Sequence, residues 1–225
     1  MLAMGCCNAM AVYLINPNST KIMTENALHA AQAAAPDLEF IGWTSQDGPS
    51  VIEGPEDGAA SIPPLLILVQ KASDAGADAI IIACFDDTGL KKAKEIARCP
   101  VIGIGQASYH MASLLAEKSA VITTVEAAVP ILQNNISALG FADHIPVVEA
   151  AHSGVAELDT DTEKALQKFN ATAQNIQLTA KINTFILGCA GAVQISSDFA
   201  LTGGFTAIDP VTAAARLCRA ISTRL

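Results

Sequence analysis

The run Ala79-Ile80-Ile81-Ile82-Ala83 constrains this chain most. Five apolar residues follow one another with no polar residue alternating, so neither face of the strand they form can look onto water. Strands of that kind belong to parallel sheets covered by helices on both sides. The run exits at Cys84 into Phe85-Asp86-Asp87-Thr88-Gly89, and a helical pattern begins near Lys91. Cys84 therefore stands at the carboxyl end of a central strand, where open α/β sheets hold their ligands. Taken alone, a cysteine there is more often a small buried hydrophobe than a reactive group.

A second stretch repeats the pattern. Asn183 to Gly191 reads NTFILGCAG: apolar strand, cysteine, small-residue turn. Cys189 follows Cys84 by 105 positions, an echo that points to a duplicated unit. The same comparison sets strand Tyr13–Ile15 and its polar exit Asn18-Ser19 against Ala120–Ile122 and its exit Thr123-Thr124. It also sets Val101–Gly103 against Thr206–Ile208. Each copy then carries one cysteine at the same strand end and one hydroxyl-rich turn after its first strand.

Strands alternate with helical segments throughout, which predicts an α/β fold with parallel sheets. The expected architecture is two similar Rossmann-like or flavodoxin-like lobes related by a pseudo-two-fold, with the active site between them. Residues 10–103 with 209–225 would form the first lobe and 104–208 the second. Residues 1–9 read as a disordered extension. Several local expectations follow. Asn18, Ser19 and Thr20 are helix-capping residue types. The Gly/Pro/acid-rich segment Ser45 to Asp57 is long enough for a lid, with a helix starting near Gly58. Ile145–Val148 reads as a strand, and Thr160-Asp161-Thr162-Glu163 has the form of a capping box.

Composition narrows the function. Hydrophobic residues make up 51% of the 225 and charged ones 16%, which favours extensive burial, a large subunit interface or both; a homo-oligomer is expected. The net charge is −9 with no basic run, which argues against nucleic acid or an anionic membrane surface as partner. No apolar stretch approaches the roughly 18 residues of a spanning helix. Cys6, Cys7, Cys84, Cys99, Cys189 and Cys218 form no CxxC pair and no zinc-type spacing with histidine, so no metal is expected, and reduced thiols in a cytoplasm are the default.

Two halves facing across a pseudo-two-fold would present Cys84 and Cys189 to one cleft holding a small-molecule substrate. Two thiols on opposite sides of a carbon acid suit stereoinversion: a thiolate takes the proton from one face and a thiol returns one to the other. Helix N-termini and backbone N–H groups after each cysteine are expected to favour the thiolate. Asn16, Ser19, Thr123 and Thr124 are candidate donors to the oxygen of an enolate-like intermediate. Asp86 and Gly191, beside the two cysteines, complete the candidate binding set.

The stretches INPNST, ACFDDTGL, VIGIGQASYHMASLL, VITTVEAAVPIL, LGCAG and AIDPVTAA, in that order, resemble the Asp/Glu/hydantoin racemase superfamily, and most closely its hydantoin and allantoin racemase branch. The resemblance runs from about Ala11 to the C-terminus. It implies that Cys84 and Cys189 carry the proton transfers, that no cofactor takes part, and that the substrate is a 5-monosubstituted hydantoin or allantoin. Thr88 stands where such relatives often have Pro, and Ala192 where they often have Met. Ala190-Gly191 after the second cysteine departs from the Thr-His of glutamate racemases. The rival readings are an amino-acid racemase, a maleate-isomerase-like enzyme, and a two-lobed small-molecule sensor without catalysis.

Overall fold

The computed structural model describes residues 10–221; the expected extension over residues 1–9 lies outside them. In chain order the elements are β1 (Ala11–Asn16), α1 (Lys21–Ala34), β2 (Glu39–Thr44), α2 (Pro55–Asp74), β3 (Ala79–Ile82), α3 (Leu90–Ile96), β4 (Val101–Gly103) and α4 (Ile104–Leu115). The second half continues with β5 (Ala120–Thr123), α5 (Val129–Ala138), β6 (Val147–Ala150), α6 (Glu157–Thr160), α7 (Thr162–Ala180), β7 (Thr184–Gly188), α8 (Ser196–Gly203), β8 (Thr206–Ile208) and α9 (Pro210–Ile221).

The strands form two four-stranded parallel sheets in the same order, β2-β1-β3-β4 and β6-β5-β7-β8. In each, the core of the central strand is apolar and buried: Ile80, Ile81 and Ile82 in β3, and their counterparts Phe185, Ile186 and Leu187 in β7, expose nothing to solvent. Burial on both faces is what an uninterrupted apolar run requires. Helix α1 buries Met23, Ala27 and Ala31, spaced by four, on one face. The last helix, α9, lays Val211, Ala214, Ala215 and Cys218 against α1 and α4. Its small residues let the helix axes approach closely. Among the described residues no helix is long and apolar enough to cross a membrane.

The internal repeat holds with two adjustments, the smaller being that Ile102 beside Ile81 matches Ile208 beside Ile186, a spacing of 106. Cys84 and Cys189 keep their spacing of 105, but Ile15 lies beside Ile82 while Ile122 lies beside Leu187. The first strands are therefore 107 apart, because the first copy has two more residues between its first and central strands. The counterpart of Thr123 is Asn16, not Asn18.

Other expectations shift locally. Strand β6 starts at Val147 rather than Ile145, since Ile145 is buried in the preceding turn, its N–H bonded to Phe141. Helix α2 begins at Pro55, which suits the first helical position, and Glu56 and Asp57 form its acidic first turn. The open segment thus ends at Gly54. The cap of α7 is Asp161, whose carboxylate accepts the Lys164 N–H at 3.3 Å. Thr160 instead closes α6, its hydroxyl donating to the Ala156 carbonyl. The turn after β1 does not cap α1 through a side chain of Thr20. Ser19 Oγ and Thr20 Oγ1 donate to the carbonyls of Pro49 and Ser50, pinning the segment before α2.

Candidate active site

The carboxyl ends of β1, β3, β5 and β7 meet at one cavity between the two sheets. Its walls include Asn16, Asn18, Cys84, Asp86, Thr123, Thr124, Cys189 and Gly191, with Met23, Ile52, Phe85, Ala128 and Val155 as apolar lining. Seven of the eight residues singled out in the sequence are therefore together. Ser19 is not among the lining residues; its hydroxyl and its N–H both go to Pro49 O. The halves interlock here: a methyl at Gly188, just before Cys189, would come within 3.2 Å of the Phe85 ring that follows Cys84.

The polar lining divides into spent and unspent groups. Asn16 Nδ2 donates to Asn18 Oδ1, Thr20 O and Thr24 Oγ1, and Asn16 Oδ1 accepts the Asn18 N–H. Asn16 is thus the frame of its turn. Its counterpart Thr123 donates to Gly188 O at 3.2 Å, tying β5 to the end of β7. Thr124 differs: its side chain is buried against the cavity, yet its hydroxyl has no hydrogen-bond partner among the described residues. The Asp86 carboxyl also faces the cavity without a hydrogen-bonded partner there. Asn18 Nδ2 has only the Met23 sulfur, at 3.4 Å.

Both thiols are free. Burial, then the negative charge of Asp86, pushes Cys84 well above the ordinary thiol range. The Thr88 hydroxyl, 3.7 Å from the sulfur, and the Asp86 N–H pull the other way. Burial pushes Cys189 up to about 12, with the Gly191 N–H pulling it down. The expected N–H groups are present, but they do not outweigh desolvation. In the resting site both sulfurs carry their protons at neutral pH. Burial likewise raises Asp86 to about 6.

The loop after Cys84 is held from two sides. Asp87, at φ +51°, is pushed up to about 7 by burial, against the N–H groups of Gly105 and Gln106 that its carboxyl accepts at 3.0 and 2.7 Å. Gly103 has to be glycine for this, since a methyl there would overlap the Asp87 carboxyl. From the other lobe, Asn135 Nδ2 donates to the Asp86 carbonyl at 2.8 Å. Glu53 returns the contact, accepting the Val155 N–H at 2.7 Å and seating the Ile52–Gly54 segment across the cavity's edge. Neither Asn135 nor Glu53 carried a sequence signal; each lies far in sequence from its partner. Among the described residues no group of three His, Cys, Asp or Glu is arranged to hold a metal ion.

Known proteins place this arrangement. The chain is 35% identical to the hydantoin racemase of Rhizobium meliloti over 94% of its own length and 88% of that protein's. It superposes on the allantoin racemase from Klebsiella pneumoniae with a TM-score of 0.90 at 29% identity, covering 95% of this chain and 87% of that one. Glutamate racemase from Francisella tularensis shares the fold at a TM-score of 0.69 and 16% identity, over 94% of this chain and 80% of that one. The family model described as Asp/Glu/hydantoin racemase matches residues 12–218. With both lobes, both cysteine-bearing strand ends and nearly the whole length inside that match, the chain belongs to the Asp/Glu/hydantoin racemase family.

Proposed function

We propose that this racemase-family enzyme inverts the C5 stereocentre of a cyclic ureide, a 5-monosubstituted hydantoin or allantoin, with Cys84 and Cys189 as the two acid–base groups. The observation that carries the reading is the delivery of both thiols to one cavity from equivalent strand ends. One sulfur, as thiolate, takes the C5 proton. The electron pair left on carbon spreads to the neighbouring carbonyl oxygen. The opposite thiol gives its proton to the other face of C5, and the two sulfurs exchange roles. The chemistry asks for no cofactor. Because both thiols are pushed up in the resting site, kcat/KM rises with pH through neutrality.

The lining supports a neutral substrate. It contains no Lys, Arg or His, and Asp86 adds a carboxyl. An amino-acid carboxylate would find no cationic partner and one like charge, which disfavours it in a buried site. A ureide ring presents N–H donors, which Asp86 can accept, and a carbonyl that becomes an oxyanion. Thr124 Oγ1 is the unspent hydroxyl placed for that oxygen. The Gly191 N–H is directed at the Cys189 sulfur, and a side chain at Gly191 would press on Leu158, whose Cδ1 would lie at 3.2 Å.

Polarimetry on L-5-monosubstituted hydantoins, L-allantoin, L-aspartate and L-glutamate tests the reading. Rotation should decay with the ureides and stay constant with the amino acids. Decay with an amino acid alone would replace the substrate class, and constant rotation with all of them would remove racemisation.

A further inference from the structure

The thiol of Cys84 has a side-chain partner that the reaction as described does not use. Thr88 Oγ1 sits 3.7 Å from Cys84 Sγ, within reach of a sulfur hydrogen bond. That contact is the hydroxyl's one hydrogen bond among the described residues. Thr88 is not among the residues lining the cavity, and its side chain lies toward Gly58 of α2. A hydroxyl in that position serves both protonation states: it accepts from S–H and, rotated, donates to the thiolate. Among the described residues Cys189 has no hydroxyl partner of this kind. Its helper is the Gly191 N–H, a backbone donor that cannot become an acceptor.

We propose that Thr88 is a positioning residue that holds Cys84 ready for both halves of the proton shuttle, accepting from the thiol and donating to the thiolate as the proton moves. The local frame keeps the pair together. Cys84 and Thr88 lie four residues apart across a turn whose Asp87 N–H bonds the Cys84 carbonyl at 3.1 Å. Asn135 fixes the Asp86 carbonyl in the same turn. The Thr88 hydroxyl also faces α2, where a methyl at Gly58 would lie 3.7 Å from it, so this helix limits its movement. The consequence is an asymmetry between two otherwise matched cysteines: the first has a switchable hydroxyl and the second a fixed donor. The proposal rests on the racemase reading for its catalytic meaning, but the Thr88–Cys84 coupling can be measured without substrate.

The test is iodoacetamide alkylation of the native enzyme at pH 8, resolved by mass spectrometry into separate rates for Cys84 and Cys189, in wild type, Thr88→Val and Thr88→Ser. Thr88→Val should slow Cys84 about three- to tenfold, since the thiolate loses a charge-assisted hydrogen bond, and leave Cys189 within about twofold. Thr88→Ser should restore the Cys84 rate. On the preferred ureide, Thr88→Val should lower kcat by a similar factor and leave KM near its wild-type value. If the valine variant does not fold, Thr88→Ala is read in its place. The proposal is overturned by an unchanged Cys84 rate, by an equal slowing of both cysteines, by a serine variant that behaves like valine, or by an unchanged kcat in an active enzyme. A wild type inactive on every ureide defeats the racemase reading, whereas the alkylation rates report on Thr88 and Cys84 regardless.

Discussion

Thr123 and Thr124 are adjacent hydroxyls at the end of β5, and the same substitution should have opposite consequences at the two. In Thr123→Val the bond to Gly188 O disappears, leaving a buried carbonyl at the strand end that carries Cys189. A neutral buried hydrogen bond is worth about 0.5–1.5 kcal/mol net, and orphaning its partner adds to the cost, so about 1–2 kcal/mol is expected. For a chain of this size that lowers Tm by about 2–8 °C. In Thr124→Val no protein hydrogen bond is lost, and stability should change by less than about 0.5 kcal/mol. If the Thr124 hydroxyl stabilises the enolate oxygen, its kcat/KM should fall by roughly 10²–10³, the effect of deleting one oxyanion donor. Thermal melts and initial racemisation rates on both variants decide the matter. A Thr124→Val enzyme that racemises at the wild-type rate would refute the oxyanion role. A Thr123→Val enzyme as stable as wild type would show that the bond to Gly188 does not hold the strand ends together.

Three further outcomes are expected. Cys84→Ser and Cys189→Ser should each abolish racemisation, while each still exchanges the C5 proton of one enantiomer, a different one, with solvent deuterium; equal exchange of both enantiomers by either variant contradicts a two-base mechanism. Asp86→Asn should raise the alkylation rate of Cys84 in the free enzyme about threefold or more, because the carboxylate's field opposes the thiolate; a slower rate would mean that the carboxyl supports the thiolate. Cys218, buried in α9, is pushed up to about 12 by burial: its neutral form stabilises the fold below the ordinary thiol value near 9, and that contribution is lost as pH rises toward 12. Between pH 8 and pH 10, wild type should therefore lose about 1 kcal/mol more denaturant-measured stability than Cys218→Ala, and equal losses would show that Cys218 ionises as freely folded as unfolded.

What the sequence made legible was set by burial. β3 and β7 could be read directly because both faces of each are covered, and that leaves an apolar run with a definite end. The cysteines at those ends followed. β6 was harder: its pattern is only partly buried, and the buried Ile145 ahead of it mimics a strand start. The fate of individual hydroxyls was not legible. Thr123 and Thr124 both border the cavity, but the Thr123 hydroxyl is spent on Gly188 O while the Thr124 hydroxyl is not, and only the position of β7, some 65 residues away, tells them apart. Ser19 was drawn out of the site by Pro49 for the same reason. Asn135 and Glu53 were invisible because a side chain bound to a distant backbone group leaves no local pattern.

Burial and Asp86 together set the electrostatics of the two thiols. Two thiols held up by burial, one beside Asp86, make a poor resting base, yet a thiolate once formed there is a strong one. General acid–base efficiency is greatest when the group's pKa sits near the working pH, so in the proposed mechanism ligand binding has to bring Cys84 down. A ring N–H donated to the Asp86 carboxylate would do this, because it satisfies the charge that most opposes the thiolate after burial itself. The enolate's developing charge would then be met by Thr124 rather than by solvent. On this view a neutral ureide would do more than fit a cavity without cations: by binding Asp86 it would remove part of the penalty on the proposed base, while an amino-acid carboxylate would add to that penalty.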